Sequence, residues 1–124
     1  MKEIISAAKT CALEETEKFG TPILDHLELS NKKVQELAEK LHVDKEIVML
    51  GTLLMDIKLG ECLKEGKIQE HIKRSGEATR KFLEKFKLDN EIVEKVVNCV
   101  EGHHGTIPFI CKEAEICANA DCYR

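Results

Sequence analysis

The sequence predicts an all-α fold, a compact bundle of about six helices, and three observations support that prediction. The chain of 124 residues is 43% hydrophobic and 34% charged, which is typical of one globular domain and not of a disordered chain. Two prolines, one tyrosine and no tryptophan accompany abundant Lys, Glu and Leu, a composition that favours helices over a β-sandwich. Apolar residues also recur at helical spacing in several segments. We therefore expect residues 1–124 to form a single domain.

The segment from residue 47 to residue 57, IVMLGTLLMDI, predicts a helix at the centre of the bundle. Its only polar residues are Thr52 and Asp56, so it is apolar on nearly every side, and such helices are buried. Asp44 precedes it as an N-cap, and we expect the helix to end near Lys58. Thr52 and Asp56 are four residues apart and share one polar strip. Asp56 needs a partner there, because the burial of an unpaired charge is unfavourable.

The other helices are predicted from apolar stripes and capping residues. In chain order they are a helix from Lys2 to Lys18 that stops at Gly20, a helix opened by Thr21 and Pro22 that runs to Leu41, a helix from Lys67 to Phe86 after a loop from Gly60 to Gly66, a helix capped by Asp89 or Asn90, and a last helix from about Phe109. One more turn of the fifth helix would bring His104 onto its valine stripe, with His103 beside it.

The charge and hydropathy of the chain argue against some classes of protein. A formal net charge of −4 and a pI of about 5.8 argue against binding to a nucleic-acid backbone. No apolar run has the length of a membrane span, and the N-terminal residues include acids that a signal peptide would lack. We therefore expect a cytoplasmic protein that does not bind membranes.

The six cysteines are expected to be mostly buried free thiols. They contain no CxxC pair, and disulfides are rare in the cytoplasm. A zinc site from Cys111, Cys117 and Cys122 with a histidine is the alternative, but their spacing fits no zinc-finger pattern.

Five of the predicted helices direct a candidate metal ligand towards the interior or its edge: His26, Asp56, His71, His103 or His104, and Asp121. Each one alone has an ordinary explanation, because a histidine or acid on an apolar face is usually a core residue with a hydrogen-bond partner. Together they suggest more, since metal centres in helical bundles are built from imidazoles and carboxylates that converge from separate helices. Mn, Ni, Fe, Zn and Mg all remain open as the divalent ion. In the alternative without metal, Asp56 and Asp121 are neutral or paired with histidine and only shape the core.

The order of these residues resembles the HD-domain superfamily of metal-dependent phosphohydrolases over residues 22–124. The likeness rests on five pieces in sequence: His26, GTLLMDIKLG with Asp56 thirty residues after that histidine, HIKRSG and the overlapping SGEATRKFL from His71, VVNCVEGHHG with His103 and His104, and EAEICANAD ending at Asp121. Any single piece would be weak, and the signal lies in their order.

The resemblance implies hydrolysis of a phosphoester in a small phosphorylated molecule or a nucleotide, with the help of divalent cations. It assigns the metal ligands as follows: Asp56 as the bridging ligand, His26 and Asp121 for one ion, and His71 with His103 or His104 for a second. Asp56 and Lys58 are the catalytic residues that it implies, with Lys58 as the phosphate-binding lysine. Homo-oligomer formation stays open.

One position departs from the pattern of the superfamily. Met55 stands where the histidine of the His-Asp pair is expected, and a thioether is a poor ligand for Mn, Mg or Zn. The alternatives are therefore a weakened one-metal hydrolase, an inactive module that binds a metal or a nucleotide, and a helical protein-interaction module. We expect Met55→His to raise activity if the site is open to solvent, and to destabilise the protein if Met55 is fully packed.

Overall fold

The computed structural model of the chain is all-α and confirms the predicted fold class. It describes residues 2–19, 24–102 and 108–121, except for the side chains at positions 2, 24–31, 34 and 119–121. Within those ranges there is no strand, and seven α-helices occur where about six were predicted. They are α1 (Lys2–Phe19), α2 (Leu24–Leu41), α3 (Lys45–Leu54), α4 (Leu59–Glu65), α5 (His71–Glu84), α6 (Asn90–Glu101) and α7 (Lys112–Asp121), with a short 3-10 helix at Ile68–Glu70.

Helix α3 lies at the centre of the bundle because, after its charged first residues, its sequence is apolar on nearly every side. Seven of its ten residues are buried, and it packs against α1, α2, α6 and α7. The Asp44 side chain caps its first turn, as predicted, by accepting hydrogen bonds from the backbone N–H groups of Glu46 and Ile47 at 2.9 and 3.2 Å. The last residue of α3 is Leu54, four positions before the predicted end at Lys58.

Three other predicted boundaries are wrong. The predicted loop from Gly60 to Gly66 is mostly helix α4, because Gly66 is the left-handed C-cap of that helix and its N–H donates to carbonyl oxygens of the last turn. Helix α5 begins at His71 and not at Lys67, since the 3-10 helix comes first. Helix α7 begins at Lys112 and not near Phe109.

The late start of α7 has a local cause. The Asn98 side chain on α6 holds the preceding segment in a non-helical conformation: its Nδ2 donates to the Pro108 carbonyl oxygen at 3.0 Å, and its Oδ1 accepts from the Ile110 N–H at 2.9 Å. Helix α6 ends at Glu101 with Gly102 as its C-cap, so the further helical turn considered for the fifth helix does not begin at Gly102. His103 and His104 themselves, the predicted stop at Gly20 and the cap at Thr21 and Pro22 lie outside the described residues.

Helices α2 and α7 both pack against α3, but their chains run in opposite directions. Helix α2 is antiparallel to α3, and its Gln35 side chain donates to the Lys45 carbonyl oxygen at 3.2 Å across the short connection. Helix α7 is parallel to α3. The Asp44 N–H donates to Glu113 Oε2 at 3.1 Å, and four residues later on both segments the Cys117 thiol donates to the Val48 carbonyl oxygen at 3.6 Å.

Helices α5 and α6 form an antiparallel pair on another side of α3. Arg80 on α5 donates two parallel hydrogen bonds to the Glu94 carboxylate on α6, both at 3.0 Å. Nearer the other end of the pair, the Glu101 side chain lies against Gly76, where a Cβ atom would overlap the present position of its carboxylate.

Candidate functional site

The residues that follow α3, from Met55 to Lys58, form a turn on which the candidate site is built. The N–H of Ile57 donates to the Leu54 carbonyl oxygen at 3.2 Å, and the N–H of Leu59 donates to the Asp56 carbonyl oxygen at 3.0 Å. Met55 is fully buried and Asp56 is 5% exposed. The inward position of Asp56 thus agrees with the sequence, while its role as a metal ligand stays a prediction.

Lys58 is held at both its backbone and its side chain. Its N–H donates to the Ser75 hydroxyl at 3.1 Å, and its Nζ donates to Glu15 Oε1 on α1 at 2.7 Å. Burial lowers the pKa of Lys58, but the hydrogen bond and the charge of Glu15 outweigh burial, so the net shift is upward. Lys58 is therefore a charged ammonium at neutral pH, and Glu15 already binds it.

His71 opens helix α5 and is 6% exposed. Ser75, which accepts the hydrogen bond from Lys58, lies one turn later on the same face of α5. The face of α5 that carries His71 is therefore the face that packs towards the turn from Met55 to Lys58. The predicted inward direction of His71 is confirmed, and its role as a ligand stays a prediction.

Glu101 adds a carboxyl group at the same end of the helix pair as His71. It is the last residue of α6, and it lies against Gly76, one residue after Ser75. Burial raises the pKa of Glu101, and the charge of Arg80 only partly offsets this effect. No pattern in the sequence indicates a role for Glu101.

Two of the predicted ligand positions lie on helices that pack against α3: position 26 on α2 and position 121 on α7. The side chains of His26 and Asp121 lie outside the described ones, as do His103 and His104 entirely, so these four ligands stay predictions.

Asp56 on the turn and His71 on α5 each carry a donor group of a kind that divalent cations bind. Asp56 supplies carboxylate oxygen and His71 supplies imidazole nitrogen, the donors that Mn, Fe, Ni and Zn accept. Met55 supplies only a thioether. Among the side chains that the structure describes, no group of three or more His, Cys, Asp and Glu could hold a metal ion. A complete ligand set would therefore have to draw on the predicted ligands whose side chains lie outside that description.

A groove of about 500 Å³ lies beside the turn, between α1, α4 and α5. Its charged lining is basic on balance, with two acids and four bases: Glu61, Glu77, Lys58, Arg74, Lys81 and Lys85. This volume suits a small molecule, and the charge suits an anionic one. Lys58 lines the groove, and it follows Asp56 by two residues in the sequence.

Comparison with known families identifies the chain. The family model of the HD domain matches residues 23–124, which includes the turn, His71 and the whole of α7. The chain belongs to the HD domain family. HD domains are generally metal-dependent phosphohydrolases and typically bind divalent metals. Neither the curated proteins nor the solved structures contain a significant match to the chain. None of the described helices of this HD domain has both the length and the apolar character that a membrane crossing needs.

Sequence reasoning did not assign a role to two residues that shape this site. Ser75 lies inside the segment HIKRSG, and its only signal was that it follows His71 by one helical turn. Glu15 lies in α1, outside the match to the family, and pairs with Lys58 from 43 residues away. No local pattern can indicate a contact of that kind, because it depends on how α1 packs.

Proposed function

We propose that this HD domain is a metal-dependent phosphohydrolase that acts on a small phosphorylated molecule or a nucleotide. The observation that carries the proposal is the buried Asp56 carboxylate at the end of α3, with the buried His71 on the face of α5 that packs towards it. A divalent cation shared by such a carboxylate and such an imidazole would offset the cost of burying them.

Asp56 and His71 are the described residues that would hold the ion, and His26, His103, His104 and Asp121 complete the set by family resemblance. When bound, a divalent cation in such a site supplies a Lewis acid for the phosphoryl group. The turn that carries Asp56 is anchored by α3 on one side and by the hydrogen bond from Lys58 to Ser75 on the other. Preorganised ligands of this kind raise both affinity and rate.

The groove beside the turn is the proposed binding site for the phosphorylated substrate. Lys81 and Lys85 are exposed at its edge, while Glu15 binds Lys58 and three glutamates surround Arg74: Glu61, Glu65 and Glu70. A phosphate group would first meet the two exposed lysines. The phosphate can bind Lys58 only if the ammonium group also keeps Glu15 as a partner. The attraction between Lys58 and the phosphate is therefore weaker than that of an unpaired lysine.

The second candidate is an inactive HD module that binds a metal or a nucleotide, or that binds another protein. The specific observation in its favour is Met55, which is fully buried in the hydrophobic core at the position where the resemblance expects a histidine. A methionine that packs there contributes to stability and not to metal binding.

The test is a metal and activity measurement on tag-free protein that has been purified without chelator. Elemental analysis gives the metal content, and the hydrolysis of an aryl phosphate and of a panel of nucleotides gives the activity. We expect bound transition metal and measurable hydrolysis in the parent, and neither in Asp56→Asn. The matched control is Asp89→Asn, since Asp89 is exposed and its side chain makes no capping hydrogen bond.

The outcomes separate the candidates. Metal without hydrolysis on any substrate supports the binding module. Neither metal nor hydrolysis in the parent rules out both metal-based functions. Equal activity in the parent and in Asp56→Asn shows that Asp56 has no catalytic role.

A further inference from the structure

The groove beside the turn continues into a second hollow between α1 and α5. In the described part of the chain α1 packs against α3 and α4, and α5 packs against α4 and α6, but α1 and α5 do not pack closely on one another. The second hollow, which we call the far hollow, has a volume of about 430 Å³. Cys11, Phe82 and Lys85 line both hollows, whereas Lys58 lines only the first and Phe86 only the far one. The groove therefore extends along α5, away from the turn.

The groove and the far hollow together are long. Their lining on α5 starts at Arg74 and ends at Phe86, twelve positions later, just after the helix. At about 1.5 Å per residue this length is roughly 18 Å, and the apolar side chains from Ala78 to Phe86 cover roughly 12 Å of it. An aromatic ring would occupy only part of that length, whereas an extended chain can fill it.

The far hollow has an apolar wall on both sides. Phe82 and Phe86 are half-buried, their rings lie 5.4 Å apart, and both pack against the hydrophobic core. Helix α1 contributes Ala7 and Cys11. Burial and the charge of Glu15 raise the pKa of Cys11, so Cys11 is a neutral thiol at neutral pH. The far hollow thus offers a surface on which an apolar group of a ligand can leave water.

Few hydrogen-bonding groups line the far hollow. The Thr10 hydroxyl donates to the Ser6 carbonyl oxygen of its own helix at 3.2 Å, and Glu14 is exposed at the edge. A sugar or a nucleobase placed there would find few partners for its polar groups, whereas an alkyl chain needs none.

The groove has two lysines that are available to an anion. Lys81 on α5 and Lys85, the C-cap of α5, are exposed and lie one turn apart. Among the described residues neither of them makes an ion pair, in contrast to Lys58 and Arg74. A phosphate group is therefore attracted to the basic section of the groove, and an apolar chain attached to it can lie in the far hollow.

We propose that the groove binds a phosphate monoester of an unbranched apolar chain, an alkyl phosphate, with its phosphate near Lys58 and Lys81 and its chain along Phe82 and Phe86. This substrate class rests on the proposed function, because it places the phosphate at the end of the groove that adjoins the turn with Asp56. Charge complementarity gives the direction of the ligand, and the removal of the chain from water gives most of the selectivity.

The first test measures binding in the presence of EDTA, so that metal-dependent hydrolysis does not take place. Butyl phosphate and octyl phosphate are titrated by calorimetry at concentrations at which both are monomeric. A half-buried methylene should tighten binding about twofold, so octyl phosphate should bind about tenfold more tightly than butyl phosphate. Octyltrimethylammonium has the same chain and the opposite charge, and it should bind more weakly than octyl phosphate.

The second test uses Cys11 to locate the ligand, because this thiol lines both hollows. The reduced protein is alkylated at mildly alkaline pH with and without octyl phosphate, and the rates are read by peptide mass spectrometry. We expect octyl phosphate to slow alkylation of Cys11 and to leave Cys111, which lines neither hollow, unchanged. Binding of octyl phosphate that leaves the rate at Cys11 unchanged would overturn the proposal.

The third test uses substitutions at the two ends of the ligand. Ala7→Gln places a longer polar side chain in the far hollow and should abolish the preference for octyl over butyl phosphate. Its control is Ser6→Gln, at the exposed neighbouring residue, which should keep that preference. Lys81→Gln should weaken the binding of both esters, and its control is Lys73→Gln, at an exposed lysine of α5 outside the groove.

Four further results would overturn the proposal. They are equal affinities for butyl and octyl phosphate, equal affinities for octyl phosphate and octyltrimethylammonium, tighter binding of adenosine monophosphate than of octyl phosphate, and the same chain-length preference in Ala7→Gln as in Ser6→Gln. If octyl phosphate binds in the groove and the metal-loaded protein hydrolyses no ester, the binding site stands and the proposed hydrolase fails. If the protein hydrolyses alkyl phosphates of every length with the same KM, the hydrolase stands and the site for the chain fails.

Discussion

The backbone N–H of Lys58 donates a hydrogen bond to the hydroxyl of Ser75, which lies 17 residues later on α5. This bond joins the turn after α3, which carries Asp56, to the helix that begins with His71. The hydroxyl therefore joins directly the two segments that carry the buried residues proposed as ligands, and α6, which packs against both α3 and α5, also holds these segments together. Ser75 is fully buried, so water cannot replace it without a change in packing.

Substitution of Ser75 by alanine should destabilise the fold. The Lys58 N–H would lose its acceptor, and an unsatisfied buried donor costs about 1–3 kcal/mol. Urea unfolding measures the effect. The control is Ser6→Ala, at an exposed serine on α1, where a change within about 0.5 kcal/mol is expected. Equal stability of the two variants would show that the hydrogen bond contributes nothing.

Removal of metal should lower the melting temperature of the parent. An ion at about a hundred times its dissociation constant stabilises by roughly 2.7 kcal/mol, which for a domain of this size is roughly 10 °C. Thermal melts with and without EDTA measure this shift. We expect it to disappear in Asp56→Asn and to persist in Asp89→Asn. If EDTA has no effect on the parent, Asp56 and His71 are only core residues.

Histidine in place of Met55 should first reduce stability. Because Met55 is fully buried, the imidazole would enter the core, where an uncompensated polar group costs about 1–3 kcal/mol. Met55→Leu is the control, since a volume-conserving apolar change usually costs less than about 1.5 kcal/mol.

Supplied Mn or Ni should then reverse that loss if position 55 adjoins a metal site. We expect the loaded Met55→His variant to recover its stability and to hydrolyse an aryl phosphate at least about tenfold faster than the parent, a change of about 1.4 kcal/mol in the barrier. A folded variant that binds metal and stays inactive would favour the binding module instead.

The contribution of the Lys58–Glu15 ion pair to the free energy of unfolding should depend on pH in the alkaline range. The folded-state pKa of Lys58 is raised above 10.5, so the pair stabilises the protein below that pH and the contribution is lost as the pH rises through the folded-state value. At neutral pH, Glu15→Gln should cost on the order of 1 kcal/mol, and the difference from the parent should narrow above about pH 10.5.

An exposed ion pair provides the control for this experiment. Lys95 and Glu91 are 3.5 Å apart, and the Glu91 side chain is 81% exposed, so Glu91→Gln should change stability by only a few tenths of a kcal/mol at any pH. A pH profile of Glu15→Gln that parallels the parent up to pH 11 would contradict the assignment of the pair.

The sequence predicted the helices well where apolar spacing and a cap agreed. Asp44 and the apolar run after it located the start of α3, and the burial of Asp56 and His71 followed from the apolar residues around each of them in the sequence. Helix α4 was missed because Gly66 has two roles that a sequence pattern does not separate: it breaks a helix in one context and caps one in another.

The environment of the site was harder to predict than its residues. Nothing near Lys58 indicates that Glu15 binds it, and nothing near Ser75 indicates that it accepts from a turn 17 residues earlier. These contacts depend on the packing of whole helices, and periodicity carries no information about them. Met55 shows the same limit: the resemblance led us to expect a histidine at that position, but only the structure shows that the Met55 side chain is fully buried.

The parallel pairing of α3 with α7 also bears on how the chain folds during synthesis. The pairs Asp44 with Glu113 and Val48 with Cys117 are each 69 residues apart, so the central helix leaves the ribosome long before its partner exists. At a translation rate of roughly 5–20 residues per second, α7 is synthesised several seconds after α3, and the surface of α3 that packs against α7 stays uncovered by it during that time. In that interval the nascent chain presents a segment that chaperones bind and that can aggregate. The yield of folded protein should therefore depend more on chaperone supply and temperature during translation than the stability of the finished domain would suggest.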